Sequence, residues 1–317
     1  MEAPATLQVK LTARKKSSLL RSLQLPLTLT FPPSPPPTVR DVKAAIHKTL
    51  PSFYVTRQKI SLPEAPKALP DDSAILFSPA GEADLIVGDL GAQVGWTTVF
   101  LVEYLGPLLF HPLIYHSPKL FYGKDVEHSA LQKAAYTMVL LHFAKRELET
   151  IFVHRFSHAT MPWFNIIKNS GHYWILSGVL LAYDLYRPGF SAPSVAGTWL
   201  DGRYLTIAWV VWTYAELSNF AVHLYMRSLR AAGTTTRSVP MGYGFTTPFN
   251  VAFPNYFFES LGWAVVTCMT GSLAALLFLV VSTAQMMQWA RKKNGTYKKE
   301  FGDKYPRRRK AMIPFIF

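Results

Sequence analysis

The feature that most constrains this chain is a long apolar stretch near its C-terminus. Between Ser260 and Ala290 the sequence contains no Asp, Glu, Lys or Arg. A helix needs about 20 predominantly apolar residues to cross a bilayer, and this stretch exceeds that length. It forms either one long helix or two shorter helices bent at Gly271. Both interpretations indicate an integral membrane protein.

A strongly basic tail follows the apolar stretch. From Arg291 to Phe317 there are ten Lys or Arg residues and two acidic ones, which supplies eight of the net charge of +14. Residues 1–90 hold eleven basic and eight acidic residues, as an ordinary soluble surface does. Because the positive charge is local and no aromatic RNA-binding motif accompanies it, the pattern argues against a nucleic-acid partner. The connector Leu224–Asn250 contains Arg227, Arg230 and Arg237 without an acidic residue, so the positive-inside tendency assigns it and the tail to the cytosol.

The chain's targeting and redox chemistry follow from simpler observations. Cys268 is the only cysteine, which excludes an intrachain disulfide and a cysteine-based metal site. The N-terminus shows no positive region followed by an apolar core. We therefore expect no cleaved signal peptide and expect an internal membrane segment to target the protein.

Residues 1–90 carry the pattern of a small separate domain. Leu7–Thr12 and Leu25–Phe31 alternate between apolar and polar residues, as half-buried strands do. After the break at Pro32–Pro37, Thr38 is positioned to cap an amphipathic helix. Further short strands are predicted near Gln58–Leu62, Ala74–Phe77 and Asp84–Val87. This order predicts a ubiquitin-like β-grasp domain, with a loosely folded extension as the alternative.

Residues 91–317 predict a multi-pass α-helical membrane domain with six or seven helices. The predicted apolar spans are Val94–Tyr115, Leu131–Phe143, Tyr173–Tyr186, Leu205–Val222 and Leu261–Met287. Several are shorter than a full membrane crossing. Leu131–Phe143 is therefore expected to extend at either end, with its charged residues facing the helical bundle.

Ionisable side chains within these spans are candidate functional residues, because charge at membrane depth is costly. Glu103 lies in an apolar run that offers no local counter-charge. Lys145 and Glu149 are four residues apart and can pair on one helix face, although a solvated interfacial helix would have the same spacing. His154 and His158 have metal-ligand spacing. No third ligand is evident nearby in the sequence, so we expect no metal site.

The segment Pro254–Trp263 forms another group. If it is helical, Asn255 and Glu259 share a face, and Tyr256 lies three residues before Glu259. A Tyr beside an amide and a carboxylate can be a positioned proton donor. An aromatic residue at the membrane interface is the simpler interpretation of that tyrosine.

Taken together and in this order, these groups resemble the steroid 5α-reductase superfamily, and most closely its very-long-chain trans-2-enoyl-CoA reductase branch. The similarity covers most of residues 95–317. The resembling segments are Phe100–Pro107, Glu149–Pro162, Ser218–His223, Leu229–Gly233, Pro254–Tyr256, Tyr297–Phe301 and the ending Lys310–Phe317. The N-terminal domain is also similar to that branch, although the Pro32–Pro37 insert departs from it.

The resemblance implies an oxidoreductase of the endoplasmic reticulum membrane. It implies NADPH-dependent reduction of a very-long-chain trans-2-enoyl-CoA to the saturated acyl-CoA, the last step of the fatty-acid elongation cycle. Other enzymes of the elongation complex are implied as partners, with the N-terminal domain, the active-site mouth and the tail in the cytosol. The sequence contains no Gly-x-Gly-x-x-Gly motif, in agreement with a cofactor site that is not a Rossmann fold.

The resemblance also implies roles for particular residues. Tyr256 matches the segment of the family's catalytic Tyr and is the leading acid. Glu103 matches a buried Glu of an early helix and either orients a donor or polarises the substrate. Lys145 and Glu149 are expected to shape the pocket. The residues assigned to NADPH are Asn219, Arg230, Asn255, Glu259 and Tyr297.

Two departures from the steroid-reducing branch bear on substrate. His223 stands where that branch has an Asp, and Phe143 stands where it has a catalytic Tyr. Both favour a substrate other than a steroid. A sterol or polyprenol double-bond reductase and a catalytically inactive membrane scaffold remain the alternatives. Arg307–Lys310 are expected to serve phosphate contacts, lipid headgroups or retention.

Overall fold

The computed structural model of this protein describes residues 6–15, 17–156, 160–230, 238–240, 251–306 and 308–317. The chain divides into two compact units. The first contains the described residues of Met1–Trp96 and His158–Phe164, and the second those of Thr97–Ser157 and Asn165–Phe317.

The first unit is built on a four-stranded sheet. Its strands are β1 (Leu7–Thr12), β2 (Leu27–Phe31), β3 (Gln58–Ser61) and β4 (Glu82–Asp89). Their order is β2-β1-β4-β3, with β1 parallel to β4 and both other pairs antiparallel. In β1 alternate side chains are buried, as the sequence pattern predicts, so Val9 and Leu11 face the core.

Two helices accompany this sheet, α1 (Ser18–Ser22) and α2 (Val39–Thr49). The Thr38 hydroxyl accepts from the Asp41 N–H, and the Asp41 carboxylate accepts from the Thr38 N–H, which forms a capping box. The predicted cap is therefore confirmed. The amphipathic pattern of Val39, Val42, Ile46 and Leu50 predicts the buried face, and the first three are fully buried whereas Leu50, just past the helix end, is partly buried.

One predicted strand is wrong. Ala74–Phe77 forms only an isolated bridge between Ala74 and Thr38. The Ile75 N–H donates to the Pro37 carbonyl, which ties the segment to the start of α2 rather than to the sheet. Ile75 alone is buried there, and Leu76 is 89% exposed. Phe77 is partly buried and packs against the same core, so Ile75 and Phe77 contact the core although the backbone of the segment does not join the sheet.

A separate two-stranded pairing also belongs to the first unit. β5 (Gln93–Gly95) runs antiparallel to β6 (Thr160–Pro162). This pairing was not predicted from the sequence. Each strand has only three residues, too few for an alternating pattern to be recognised.

The second unit is helical, and the predicted apolar spans fall mainly in its helices, although Val94 belongs to β5 and Tyr173–Tyr186 covers a π-helix and a short helix. In chain order the helices are α3 (Trp96–His116), α4 (Pro118–Tyr122), α5 (Ala130–Phe152), α6 (Phe164–Ser170), a π-helix (Gly171–Leu180), α7 (Leu181–Leu185), α8 (Ala192–Val195), α9 (Leu205–Ser228), α10 (Pro254–Thr270) and α11 (Leu273–Phe301). The span predicted at Leu131–Phe143 does extend, since α5 continues for nine residues beyond Phe143. Its added turns carry the charged residues.

The C-terminal apolar stretch is two helices rather than one. α10 ends at Thr270, and Gly271 adopts a left-handed conformation with φ of 62°. Glycine tolerates this conformation because it has no Cβ. The next helix begins with Ser272 as its cap, and the Ser272 hydroxyl donates to the Asp184 carboxylate at 2.5 Å. Of the two arrangements that the sequence left open, two helices bent at Gly271 is therefore the one observed.

Close packing joins α3 to the π-helix. The Trp174 indole N–H donates to the Val102 carbonyl at 2.7 Å, and its ring lies over Gly106. A Cβ built on Gly106 would be 2.3 Å from Trp174 Cδ1. α3 also contains Pro107 and Pro112, each of which removes an intrahelical hydrogen bond.

Two helices among the described residues are long and apolar enough to cross a membrane, Trp96–His116 and Leu273–Lys304. Many large apolar side chains on the second unit's helices are exposed, including Ile207, Val210 and Leu217 of α9. Exposed apolar surface of this extent is typical of contact with lipid. The number of six or seven membrane helices stays a prediction.

Candidate active site

A network of buried polar side chains lies where α5 and α9 meet. α5 contributes His142, Lys145, Arg146 and Glu149, and α9 contributes Glu216, Asn219 and His223. Residues three or four apart share a helix face, so each set projects toward the other helix. Glu149 and Asn219 are each 1% exposed.

Lys145 is held mainly by α9. Its ammonium nitrogen is 2.8 Å from Glu216 Oε2 and donates to Asn219 Oδ1 at 2.6 Å. Glu149, the partner expected from spacing, is farther away at 3.5 Å. His142 Nδ1 approaches the other Glu216 oxygen at 2.8 Å. Glu216 therefore joins two residues of α5, and it is the main counter-charge of Lys145.

Glu149 has different principal partners from the one expected. Its Oε2 is 2.7 Å from Arg146 Nη1 and 3.0 Å from His223 Nδ1. Arg146 Nη2 also donates to the Tyr104 hydroxyl at 2.9 Å. The Lys145–Glu149 pair is thus one of several ion pairs in a wider network that links α3, α5 and α9.

Three potential metal ligands meet within this network. Donor atoms of Glu149, His154 and His223 all lie within 4.8 Å of one another, whereas no third ligand near His154 was expected from the sequence. His158, its expected companion, lies outside the described residues. The Glu149 carboxylate is already paired with Arg146 and Lys145, so a divalent cation there would meet two positive charges. The donor set fits a buried ion-pair network better than a metal site.

Glu103 reaches the same region from α3. It is 1% exposed, and the Asn169 side chain lies near it. Its Oε1 has no hydrogen-bond partner among the described residues. A buried polar atom without a partner is costly. Glu103 is therefore a candidate to contact a ligand.

α10 supplies two of the predicted residues to this region. The Asn219 amide donates to the main-chain carbonyl of Asn255 at 2.8 Å. Asn255 Oδ1 is buried and has no partner among the described residues. Glu259 is close enough to Tyr104 and Arg146 to interact with them electrostatically. Asn255 and Glu259 thus lie beside the network, as their shared helix face predicted.

Tyr256 faces the adjacent helix α11. The Lys293 ammonium donates to its hydroxyl at 3.1 Å. Its ring stacks on Phe253 with centroids 5.8 Å apart and lies 6.5 Å from the Trp289 ring. The phenol therefore has a cation beside it, but its contacts are with α10 and α11 rather than with Glu103, Lys145 or Glu149.

Tyr297 is packed under the C-terminal tail. It is 5% exposed and stacks on Phe253 at 5.3 Å. The tail returns to the start of α10, where the Ala252 N–H donates to the Lys310 carbonyl at 2.8 Å and the Phe253 N–H to the Ala311 carbonyl at 3.0 Å. The end of the tail therefore packs back against the helical bundle.

Arginines gather at the C-terminal ends of α5 and α9. Arg155 donates to the main-chain carbonyls of Arg227 and Arg230, and Arg230 donates to the Arg155 carbonyl at 3.2 Å. Arg227 donates to the Phe152 carbonyl at 2.6 Å. No carboxylate of the described residues pairs with Arg155 or Arg227. Arg237 and Arg307 lie outside the described residues.

Several members of the site were missed in reasoning from the sequence. They are Tyr104, His142, Arg146, Glu216 and the part that His223 has in the network. A signal existed for α9, where Glu216, Asn219 and His223 repeat at intervals of three and four residues. The sequence pointed away from Arg146, because its neighbour Lys145 lies four residues before Glu149, which is the more familiar spacing for a helical ion pair.

The arrangement combines acids, cations and a phenol in a largely buried setting. Charged groups held away from water can orient a polar substrate and stabilise developing charge without large rearrangement. The unpartnered oxygens of Glu103 and Asn255 supply acceptors for a ligand. These features fit a catalytic site for a substrate with both polar and apolar parts.

Comparison with known proteins identifies the family. Residues 159–317 match the family model described as 3-oxo-5-alpha-steroid 4-dehydrogenase. A Schizosaccharomyces pombe protein named as an enoyl reductase is 44% identical over 303 residues, which cover 96% of this chain and 97% of the relative. The very-long-chain enoyl-CoA reductase of Dictyostelium discoideum is 40% identical over 80% of this chain and 82% of its own length. The trans-2,3-enoyl-CoA reductase-like protein of Mus musculus is 33% identical over 88% of this chain and 77% of its own length.

Two proteins can share a fold at much lower sequence identity than these relatives have with this chain. The matching family is embedded in membranes, in agreement with the two apolar helices and the exposed apolar side chains. The chain belongs to the very-long-chain enoyl-CoA reductase branch of the steroid 5α-reductase superfamily.

Proposed function

We propose that this protein reduces very-long-chain trans-2-enoyl-CoA to the saturated acyl-CoA with NADPH, as the last step of fatty-acid elongation. The observation that carries the proposal is the 40% identity, over four-fifths of the chain, to a protein named as a very-long-chain enoyl-CoA reductase. The buried network supports it, because an α,β-unsaturated thioester needs groups that orient it and stabilise charge.

The described residues fit NADPH. The buried, unpartnered Oδ1 of Asn255 and the neighbouring amide of Asn219 offer hydrogen bonds to a carboxamide. Arg155, Arg227 and Arg230 offer positive charge to phosphates at one end of α9, and Tyr297, whose ring stacks on Phe253, is assigned to the adenosine end. Glu259 completes the proposed cofactor site. NADPH, when bound, supplies a hydride to C3 of the substrate.

The protein's own residues perform the remaining steps. In this proposal Tyr256 donates the proton to C2, and the Lys293 ammonium at its hydroxyl stabilises the phenolate that remains. Glu103 orients the reacting groups from α3. Lys145 and Glu149, fixed by Glu216 and Arg146, maintain the shape and charge of the pocket.

The proposal extends to the cellular setting. It places the protein in the endoplasmic reticulum membrane with six or seven helices, and with the active-site mouth and basic tail in the cytosol. Residues 1–90 would form a ubiquitin-like cytosolic domain, supported by the β2-β1-β4-β3 sheet and its single long helix. Residues 91–317 would form the catalytic membrane domain, in contact with other elongation enzymes.

Turnover by microsomes that express the chain tests the proposal. They should oxidise NADPH when a long-chain trans-2-enoyl-CoA is added, and the saturated acyl-CoA should appear in equal amount. A control preparation carries Glu103→Gln, which keeps the size of the side chain. Because the matching family model is named for a steroid reaction, a 3-oxo-4-ene steroid is tested in parallel. Turnover of the steroid without turnover of the acyl-CoA overturns the proposal.

A further inference from the structure

We propose that Tyr104 is a further catalytic residue, whose phenol donates a hydrogen bond to the thioester carbonyl oxygen of the substrate. This inference rests on the proposed function and deepens it. It assigns the group that holds the enolate oxygen, a role that the proposed function gives to no residue, because Glu103 there only orients the reacting groups.

The first observation is that the Tyr104 proton is uncommitted. A guanidinium has donors and no acceptor, so in its contact with Arg146 Nη2 at 2.9 Å the Tyr104 oxygen must accept. The phenol's own hydrogen has no acceptor among the described residues. Tyr104 therefore retains one donor, in a position that is 2% exposed.

Tyr186 provides a contrast within the same unit. Its hydroxyl lies 2.5 Å from His111 Nδ1, and His111 Nε2 lies 2.8 Å from the Ser177 carbonyl. Because the carbonyl can only accept, Nε2 carries the imidazole proton and Nδ1 accepts from Tyr186. The buried Tyr186 thus uses its proton within the protein, whereas Tyr104 does not.

The second observation is the charge behind the phenol. The Arg146 guanidinium carbon lies 5.2 Å from the centre of the Tyr104 ring, and Glu149 holds the guanidinium at 2.7 Å. A fixed cation that donates to the phenol oxygen polarises the O–H bond outward. This strengthens the hydrogen bond to an acceptor that gains negative charge.

The third observation is that the surroundings of Tyr104 are polar on more than one side. Glu103, the preceding residue, has its buried Oε1 without a partner among the described residues. Glu259 and Tyr173 also interact electrostatically with Tyr104. The Tyr104 ring packs against Phe143 and Tyr173 in the core, but a phenol that only fills the core would not also interact with two carboxyl groups and an arginine.

The electron balance of the proposed step is simple. Hydride adds to C3, the C2–C3 π electrons form a bond between C1 and C2, and the carbonyl π electrons move onto the thioester oxygen. Tyr104 keeps its proton and holds that oxygen by a hydrogen bond. When C2 takes the proton that the proposed function assigns to Tyr256, the carbonyl bond re-forms and the hydrogen bond weakens.

The test begins with Tyr104→Phe in the purified full-length protein. Loss of one donor to a developing oxyanion lowers kcat by about 10²–10³-fold in other enzymes, and we expect a loss in that range. KM for the enoyl-CoA should change less than threefold, and NADPH binding should be retained. The matched control is Tyr186→Phe, which also removes a buried hydroxyl and should keep the wild-type kcat in the folded protein.

A spectroscopic measurement separates a chemical role from a structural one. A saturated acyl-CoA labelled with ¹³C at its thioester carbonyl is bound with NADP⁺, and the carbonyl stretch is recorded by infrared difference spectroscopy. The wild type should shift the band to lower frequency, and Tyr104→Phe should remove that shift. An unchanged band, or unchanged kcat, overturns the assignment of Tyr104. If the wild type turns over no enoyl-CoA at all, it is the proposed function that fails.

Discussion

At the scale of single residues, the site depends on charges that compensate one another across helices. Lys145 illustrates this, because its nearest carboxylate comes from α9 and not from its own helix. Glu216 is 8% exposed and also contacts His142, so it serves two cationic or polar groups at once. Removing such a partner leaves the other charge buried and unpaired. The free-energy cost of that is larger than the net stabilisation that the intact pair provides.

We therefore expect Glu216→Gln to lower the free energy of unfolding by about 3 kcal/mol and to reduce turnover. The measurement is thermal unfolding in detergent together with NADPH oxidation. The matched control is Asp125→Asn, because the Lys119–Asp125 pair at 3.0 Å is 74% and 76% exposed, and loss of an exposed pair costs about 1 kcal/mol or less. Equal effects of the two changes would contradict the assigned role of Glu216.

Tyr256 allows a second test at the residue scale. Tyr256→Phe keeps the ring that stacks on Phe253 and removes only the hydroxyl beside Lys293. We expect NADPH binding to be retained, measured by fluorescence of the bound nicotinamide, while turnover falls by two or more orders of magnitude, roughly the contribution of a general acid. Tyr183→Phe, at a tyrosine that is 47% exposed, is the control. Unchanged turnover in Tyr256→Phe would remove Tyr256 from the mechanism.

At the scale of elements, backbone approach and local ion pairs decide which segments meet. The α3 contact with the π-helix requires Gly106, because the Trp174 ring occupies the volume where a Cβ would lie. This contact fixes the helix that carries Glu103 and Tyr104. The network's alignment therefore depends on a residue that has no chemistry of its own.

Gly106→Ala is expected to lower the melting temperature and the yield of folded protein, because the indole ring must move and lose its 2.7 Å hydrogen bond to Val102. Gly295→Ala in α11 is the matched control, since nothing lies within 4 Å of the position that its Cβ would take. Alanine favours helices over glycine by about 1 kcal/mol, so this control should be neutral or stabilising. Tolerance of Gly106→Ala with full activity would contradict the packing argument.

The first unit yields a prediction on pH. The Arg57 guanidinium, hydrogen-bonded to Asp89 at 2.6 Å, lowers the pKa of that carboxyl from 3.8 to about 2. A lowered carboxyl pKa stabilises the fold above the unfolded value near 3.8, and this stability is lost as the pH falls through about 2. The contribution above pH 5 is about 2 kcal/mol.

Hydrogen exchange of the β3 and β4 amides in the full-length protein, recorded between pH 2 and 6 and corrected for intrinsic rates, measures this effect. As the pH falls below 4, protection of the wild type should decrease toward that of Asp89→Asn. Protection of Asp89→Asn should not contain the pH-dependent contribution of the Arg57–Asp89 pair. Asp84→Asn, at an exposed position of the same strand, should follow the wild type. A wild-type profile that stays parallel to Asp89→Asn at all pH values would refute the linkage.

At the scale of the whole molecule, the C-terminal residues close the region that contains Tyr256 and Tyr297. Met312 is 1% exposed and belongs to the buried cluster with Phe253 and Tyr297, whereas Phe315 is 79% exposed. The Met312 N–H also bonds to the carbonyl of Phe317, which folds the last residues into a turn. The tail is thus part of the wall of the proposed cofactor site.

Met312→Ala should lower stability by about 3 kcal/mol, as truncation of a buried side chain does, and should weaken NADPH binding because Tyr297 loses its support. Phe315→Ala is the control, and it should change neither property by a measurable amount. Isothermal titration with NADPH and thermal unfolding report the two effects. Equal NADPH affinity in the two variants would argue against a role of the tail in the cofactor site.

Much of the architecture was predictable because it depends on local rules. The capped helix α2, the strand β1 and the bend at Gly271 follow from periodicity, capping and the conformational freedom of glycine. The strand predicted at Ala74–Phe77 failed because hydrogen bonding to the start of α2 removed it from the sheet. The β5–β6 pairing escaped prediction because its two strands are short and far apart in the sequence.

The candidate site divides in the same way. The helical, membrane-type character of residues 91–317, the family resemblance and the charged residues in apolar surroundings could be read from the sequence. The pairing of those charges could not: Glu216 pairs with Lys145, His223 and Arg146 pair with Glu149, and Arg146 bonds to the Tyr104 phenol. Helix periodicity predicts neighbours three or four residues apart, but a buried charge is compensated most strongly by another helix, and no local pattern predicts how two helices align.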